Sequence, residues 1–302
     1  MKRIISVILA LVFIAGSLSL TSASAMDEGD WRIVLGHDLT ESEINTVYEL
    51  FGLGDSEGLD ANRILSVTNS EERFYLSGKM PDAKIGKRAV SSIFICALPE
   101  GSGLNITVKN ISYCTAEMYE NALLTVGITD AEIIVASPRP VSGTAALTGI
   151  YKAYESLTGS IISDYIKQAG IDELLTTGDL AEIIGSDEAT EVITELKKIL
   201  DETMHMTDDE VKTVIREIAT ENEVELTEQN VSQILTLART LEGLDVEQIR
   251  ARALGLAKSV STWQKIAGGF KAVFAEIGEF FKDVAEFLRD VFTKFFAPAA
   301  EE

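Results

Sequence analysis

The sequence predicts an α+β fold: a small sheet with covering helices in the N-terminal half, and an all-helical C-terminal half ending in a long amphipathic helix. Three observations predict it. Helical and extended patterns alternate up to about residue 157. Beyond that point strand patterns are absent and apolar residues keep a helical spacing. Residues 261–302 then carry an aromatic stripe at heptad spacing.

Residues 1–25 have the pattern of a removable secretion signal. Lys2 and Arg3 precede an apolar run, and Ala23-Ser24-Ala25 matches an A-x-A cleavage site. The run is about 17 residues long, shorter than the roughly 20 that span a bilayer. We therefore expect a mature chain that starts at Met26 and is secreted or held in the cell envelope, outside the cytoplasmic membrane. A retained N-terminal anchor is the alternative.

The first predicted domain, residues 26–157, opens with a helix. Thr40 and Glu43 form a capping box, and Gly52 is the expected stop. Further along, the patterns predict a strand over 63–67 and a short helix that Asn69 caps. They also predict a helix over 116–126 capped by Thr115, a strand over 132–136 that Ser137-Pro138-Arg139-Pro140 breaks, and a helix begun by Ser142-Gly143-Thr144.

Two further strands, over 89–98 and 104–112, are predicted to pair as a hairpin through the five-residue loop 99–103. In that register Cys96 and Cys114 lie roughly 26 Å apart at about 3.3 Å per residue. A disulfide needs a Cα separation of about 6 Å. We therefore expect no bond between the two thiols, and we interpret Cys96 as a core thiol.

The second predicted domain, residues 158–260, is a helical subdomain. Thr207 and Glu210 form another capping box, and Thr227 is an N-cap. The last predicted segment, 261–302, is an amphipathic helix with three apolar positions in every seven. Its own body, a second copy, another protein or a membrane surface could cover this face. The predicted interaction residues include Trp263, Phe270, Phe274, Phe281, Phe287 and Phe295.

Net charge restricts the partners. The 302-residue chain carries a formal charge of −22. Nucleic acids are therefore not expected partners, because binding phosphates requires clustered Lys and Arg.

Enzyme motifs are mostly missing from the sequence. It contains no H-E-x-x-H, no Cys/His cluster, no G-x-S-x-G elbow and no P-loop. The two histidines, His37 and His205, are expected at surface positions. We assign no catalytic residue, metal or cofactor, although hydrolysis by a pair of carboxylates stays open.

One turn has the setting of an anion site. Ser142, Gly143 and Thr144 follow an apolar strand and open a helix, and Arg139 is close in sequence. Free backbone N–H groups and the helix dipole favour anions there. An ordinary N-cap is the alternative interpretation.

Several short sequence segments of the chain resemble those of the exported bacterial family known as domain of unknown function 1002. They include Val67-Thr68-Asn69, Glu72-Arg73, Met118-Tyr119, Asn121-Ala122-Leu123, Val135-Ala136 and the run from Val141 to Ile150. The resemblance implies an exported bacterial protein and supplies no catalytic residues.

These observations favour a non-catalytic cell-envelope protein that acts through interaction surfaces. Its partner would be another protein or a second copy, engaged by the C-terminal helix, with a membrane surface as a further possibility. The alternative is an extracytoplasmic hydrolase or a small-anion-binding module that uses the turn at Ser142-Gly143-Thr144.

Overall fold

A five-stranded mixed sheet organises the N-terminal half of the protein. The computed structural model describes residues 26–54 and 59–255, so the predicted signal and the predicted C-terminal helix lie outside the described residues. The strands are β1 (Trp31–Gly36), β2 (Ile64–Val67), β3 (Ser92–Ala97), β4 (Leu104–Ile111) and β5 (Ala131–Val141). Their order is β2-β1-β3-β5-β4, with β1 parallel to β2, β4 parallel to β5, and β3 antiparallel to both β1 and β5.

Helices cover the sheet and build the rest of the described chain, as the α+β prediction required. They are α1 (Glu41–Phe51), α2 (Asn69–Leu76), α3 (Asp82–Ile85), α4 (Ala116–Val126), α5 (Thr144–Thr158), α6 (Asp164–Ile184), α7 (Ser186–Lys198), α8 (Leu200–Thr203), α9 (Asp208–Glu221) and α10 (Glu228–Leu241). Residues 246–255 are also helical. Within the described residues, no helix combines the length and apolar character needed to cross a bilayer.

Most local capping signals are confirmed, but Asn69 is the first residue of α2 and Thr68, with Glu71, is its cap. Thr40 and Glu43 form the predicted capping box of α1, and Gly52 ends that helix at φ 81°. Thr207 starts α9 with its own box, and Thr227 caps α10. These signals act within four residues, so the sequence alone determines them.

The predicted β3–β4 hairpin is wrong, because β5 lies between the two strands. The burial patterns explain the arrangement. In β5, Ile133 and Val135 are buried on one face of the sheet and Ala136 on the other, so the apolar run suits a strand covered on both faces. β4 alternates exposed and half-buried residues and so suits the edge.

The predicted break of β5 at residues 137–140 is also wrong, since the strand continues to Val141. Its pairing with β3 ends at Ala136, and its register with β4 shifts before Val141. Pro138 and Pro140 therefore occupy a stretch with no ladder pairing on either side, where a missing N–H costs little.

β1 is a strand that the sequence patterns did not predict. Ile33 and Val34 are both fully buried and point to opposite faces of the sheet. Ile33 packs with Val47 and Phe51 of α1, whereas Val34 belongs to the core formed with α4 and α5. The continuous apolar run reflects a central strand with both faces covered.

The described residues up to Ala253 belong to one compact unit. This unit contains two large cores joined by α6. Leu174 and Leu175 of α6 pack in the core under the sheet, and Leu180 packs in the core among the later helices.

A buried ion pair also joins these helices. Lys197 of α7 and Glu173 of α6 have side chains that are 1% and 0% exposed, with Nζ 2.8 Å from Oε1. Lys197 also donates to the carbonyl and the side-chain oxygen of Asn121, both at 2.9 Å. Thr125 donates to the other oxygen of Glu173. All three ammonium protons therefore have acceptors.

Both cysteines are free thiols, but the hairpin register used to separate them does not exist. Cys96 is half-buried and Cys114 is the core thiol, with 2% exposure. The interpretation of Cys96 as the core thiol is therefore wrong. Burial raises the pKa of Cys114 to about 12.

Candidate functional site

A cleft of about 350 Å³ opens beside the N-terminus of α5. One wall runs from Lys84, near the end of α3, to Arg88, and the other runs from Arg139 to the first turn of α5. Five charged residues line it: Glu72, Lys84, Lys87, Arg88 and Arg139. We call it the basic cleft.

The structure brings the predicted site residues together here. Arg139, Ser142 and Gly143 line the basic cleft, and Thr144 starts α5 as predicted. Thr144 itself is 3% exposed, and its hydroxyl donates to the Glu72 carboxylate at 2.7 Å. The side chain of Thr144 is thus already engaged by the protein.

Gly143 fixes the shape of the turn. Its φ is 94°, a left-handed conformation in which glycine is strongly favoured. A Cβ at this position would lie 2.5 Å from Cγ2 of Ile111 and 2.6 Å from the hydroxyl of Tyr119. That hydroxyl donates to the Gly143 carbonyl at 2.6 Å. The backbone beside the cleft is therefore held from inside the core.

The opposite wall is anchored as well. Arg73 of α2 donates to the Gly86 carbonyl at 2.6 Å and pairs with Asp82 at 2.7 Å. The Ala89 amide donates to the Asp38 carboxylate at 2.8 Å. These contacts fix the backbone of the segment that carries Lys87, and so they fix the place where this side chain begins.

Glu72 is the site residue that the sequence analysis missed. It is 2% exposed, and its carboxylate accepts from Thr144 and from Asn69 at 3.1 Å. Within residues 26–54 and 59–255 it makes no ion pair. Burial raises its pKa above the ordinary value, while the Thr144 and Asn69 hydrogen bonds oppose the rise.

A signal for Glu72 was present in the sequence. Glu72 and Leu76 are four residues apart on α2 and share its buried face. An acidic residue on the apolar face of a short helix is unusual, because burying a carboxylate is costly. Such a position marks a candidate functional acid.

Two of the cleft's cations share one carboxylate. Arg88 Nη2 lies 2.9 Å from Oε2 of Glu43, and Arg139 binds Oε1 of the same side chain. The Thr40 backbone amide, followed by these two guanidinium groups, lowers the pKa of Glu43 to about 2. The two arginines thus share one carboxylate, and the three side chains together keep a net positive charge.

The two lysines differ in their partners. Lys84 pairs with Glu182 of α6 and lies 4.7 Å from the centroid of the Tyr113 ring. Lys87 is exposed, and no ion pair within the described part of the chain involves it. Lys87 is therefore the cation most available to a ligand.

A larger cleft of about 480 Å³ lies between α2, α5 and α6. Its two lysines are matched by carboxylates that also line it. Lys152 pairs with Glu71 and Lys167 pairs with Glu155, each at 2.7 Å. The charged side chains that line this cleft pair with one another. It therefore attracts a charged ligand less strongly than the basic cleft does.

The remaining predicted residues are placed as follows. His37 and His205 are exposed, as expected. The described part of the chain contains no group of three or more His, Cys, Asp or Glu residues positioned to hold a metal ion. The predicted interaction residues of the last segment, Trp263, Phe270, Phe274, Phe281, Phe287 and Phe295, lie outside the described residues.

Comparison with known proteins identifies relatives of the chain. Residues 35–253 match the family described as "Protein of unknown function (DUF1002)". The chain is similar to the "Uncharacterized protein YpuA" of Bacillus subtilis (strain 168), with 36% identity over 238 residues that cover 78% of this chain and 79% of the relative. No solved structure matches the chain. The match over most of the described residues shows that the chain belongs to the DUF1002 family.

Proposed function

We propose that this protein is an exported binding protein that captures a small anion in the basic cleft. The observation that carries the proposal is the convergence of four cationic side chains on one cleft in a chain of net charge −22. A cleft in which one sign of charge predominates concentrates ligands of the opposite sign.

The donor types suit an oxyanion. Lys87 offers a mobile ammonium group, while the guanidinium groups of Arg88 and Arg139 offer planar, paired donors. Carboxylates, phosphates and sulfates accept bidentate hydrogen bonds from arginine. An incoming anion would compete with Glu43 for both arginines.

Titration of inorganic phosphate or sulfate at constant ionic strength tests this proposal. We expect backbone amide signals of Ser142, Gly143 and Thr144 to shift in two-dimensional NMR spectra, because they border the cleft. Lys87→Gln should weaken binding by about fivefold, a typical loss for one charge contact. Lys212→Gln removes the same charge from α9, outside the cleft lining, and should leave binding unchanged.

Unmoved amide signals at tens of millimolar phosphate, or equal effects of the two lysine variants, would contradict anion capture in this cleft. The hydrolase alternative predicts something further. A carboxylate or phosphate ester added to the protein would be consumed over time, whereas a binding protein leaves it intact.

Export is a separate part of the proposal and rests on the Lys2-Arg3, apolar and Ala23-Ser24-Ala25 pattern. We expect Met26 to be the first residue of the mature chain. N-terminal sequencing of the protein recovered from the envelope and medium tests this. Intact protein that keeps Met1 and remains in the cytosol would contradict it.

A second proposed role concerns residues 261–302, and the heptad spacing of their aromatic residues supports it. We propose that this segment engages a partner protein or a second copy. Its mixed charges, such as Lys271 and Lys282 against Glu279 and Asp283, suit a partner helix better than an anionic membrane.

Removing the chain from Ser261 onward tests that role. The shortened protein should unfold cooperatively at a similar temperature but lose self-association or partner binding. A shortened protein that is unfolded or aggregated would indicate that the stripe is part of the protein's own core, and vesicle flotation lost on truncation would indicate a membrane.

A further inference from the structure

Among the described residues that line the basic cleft, Glu72 is the single acidic side chain. Both donors that reach it, the Thr144 hydroxyl and the Asn69 amide, are uncharged. Each carboxylate oxygen accepts two hydrogen bonds, so the carboxylate retains acceptor capacity next to the cleft.

The protein treats its other deeply buried glutamate differently. Glu173 receives the ammonium group of Lys197 at 2.8 Å and a hydroxyl from Thr125. A buried carboxylate requires such a cation, since leaving the charge unmatched is strongly unfavourable. Within the described part of the chain Glu72 makes no ion pair, and the charge of nearby Arg73 only opposes the rise of its pKa. Glu72 also lines the basic cleft.

We propose that the ligand of the basic cleft is a small zwitterion, whose ammonium group binds Glu72 while its acidic group binds Lys87, Arg88 or Arg139. This inference rests on the proposed function, because it requires an anion site on the cationic side. The chemical class it names is an α-amino acid or a dipeptide.

Cleft size fits this class. A volume of about 350 Å³ corresponds to about a dozen water molecules at roughly 30 Å³ each. Alanyl-alanine has a similar number of non-hydrogen atoms. Most larger peptides would have to extend beyond the cleft.

The raised pKa of Glu72 is consistent with the geometry. A carboxylate that is buried without a cation holds its proton more tightly, and a bound ammonium group would favour the ionised form again. The competing arrangement is a protonated Glu72 that donates to a simple anion. The two arrangements predict opposite preferences between ligands with and without an ammonium group.

Calorimetric titrations of the purified protein at pH 7.5 distinguish them. The probes are inorganic phosphate, alanine and alanyl-alanine, together with the N-acetylated and C-amidated forms of the last two, each of which loses one of the two charges. We expect alanine or alanyl-alanine to bind about tenfold more tightly than both of its single-charge forms, since each of those forms lacks one charged hydrogen bond to the cleft.

Glu72→Gln should reduce the affinity of the zwitterion to that of its acetylated form, and should leave the acetylated form bound equally well or better. Glu228→Gln, on the exposed face of α10, should change neither affinity. The ligand series in the unsubstituted protein gives the answer even if the Glu72 variant does not fold.

The failures are distinguishable. An acetylated form that binds as tightly as its zwitterion would overturn the zwitterion inference and leave the anion proposal standing. Phosphate binding without binding of any amino-acid probe would also overturn the inference. If neither phosphate nor any carboxylate binds, the proposed function itself fails.

Discussion

Two buried glutamates occupy contrasting regions of this protein. Glu173 lies where α4, α6 and α7 meet, is 0% exposed, and has an ion-pair partner in Lys197. Glu72 lies at the edge of the sheet domain's cleft, is 2% exposed, and accepts from Thr144 and Asn69. The first group is satisfied entirely by the protein, whereas the second faces a cleft that contains cations.

The difference separates a structural charge from a candidate binding group. Burial lowers the pKa of Lys197, and the Glu173 carboxylate opposes that shift. The pair is mutually dependent, since either charge alone would be buried without compensation. Glu72 depends on neutral donors and can take up a proton, so its ionisation state is free to respond to a ligand.

The largest expected effect is at the paired site. Glu173→Gln should lower the free energy of unfolding by about 3–5 kcal/mol, because it leaves Lys197 buried without a counter-charge. Urea unfolding followed by circular dichroism measures the change. Glu228→Gln, which breaks the exposed pair with Arg216, is the control and should cost less than about 1 kcal/mol. Equal losses in the two variants would show that the buried pair is not structural.

Replacing both partners should restore much of that loss. The double variant Glu173→Leu with Lys197→Met removes both buried charges, and apolar replacements of buried ion pairs are often neutral or stabilising. We expect its unfolding free energy to lie at least 2 kcal/mol above that of Glu173→Gln, on the scale of about 3–5 kcal/mol for a broken pair. A double variant as unstable as the single one would show that packing, and not charge, explains the loss.

The same glutamine substitution at Glu72 should act in the opposite direction. Because the folded pKa of Glu72 is raised above its ordinary value of 4.5, its stabilising contribution is complete below the unfolded pKa and is lost as the pH rises through the folded pKa. Relative to the unsubstituted protein, Glu72→Gln should therefore gain stability progressively as the pH rises from about 4 to about 8. A flat difference across this range in urea unfolding would contradict the assignment.

The smallest effect concerns the carboxylate that competes for the arginines. Glu43→Gln removes the charge that holds Arg88 and Arg139 but keeps a side-chain oxygen for the α1 capping box, in which glutamine is also common. Phosphate affinity should rise about fivefold, the equivalent of about 1 kcal/mol.

Glu41→Gln, in the same first turn of α1 but outside these contacts, is the matched control for that calorimetric titration. Its affinity for phosphate should equal that of the unsubstituted protein. A rise of the same size in both variants would indicate a general charge effect and not competition within the cleft.

Sequence patterns predicted what depends on near neighbours. The capping boxes at Thr40 and Thr207 follow from contacts within a few residues. The α+β fold class and the start of α5 at Thr144 follow from the order of apolar and turn residues along the chain. The predicted pairing of β3 with β4 is wrong, because β5 lies between the two strands and burial across the sheet decides that position. The order of the strands in the sheet thus depends on long-range packing, which the spacing of apolar residues along the sequence does not encode.

The candidate site divides in the same way. One turn of the chain contains Arg139, Ser142, Gly143 and Thr144, so these site residues could be predicted from the sequence. Glu72 was missed, although it lies against Thr144, because the two are 72 residues apart and meet only through folding.

NMR of the protein labelled with ¹³C at its glutamate carboxyl groups tests the central claim most directly, by following Glu72 and Glu173 as pH and alanyl-alanine are varied. We expect the ligand to lower the pKa of Glu72 and to leave the Glu173 signal in place, since Glu72 lines the basic cleft and Glu173 does not. A Glu72 titration that saturating ligand leaves unchanged would contradict the claim that this buried carboxylate serves binding.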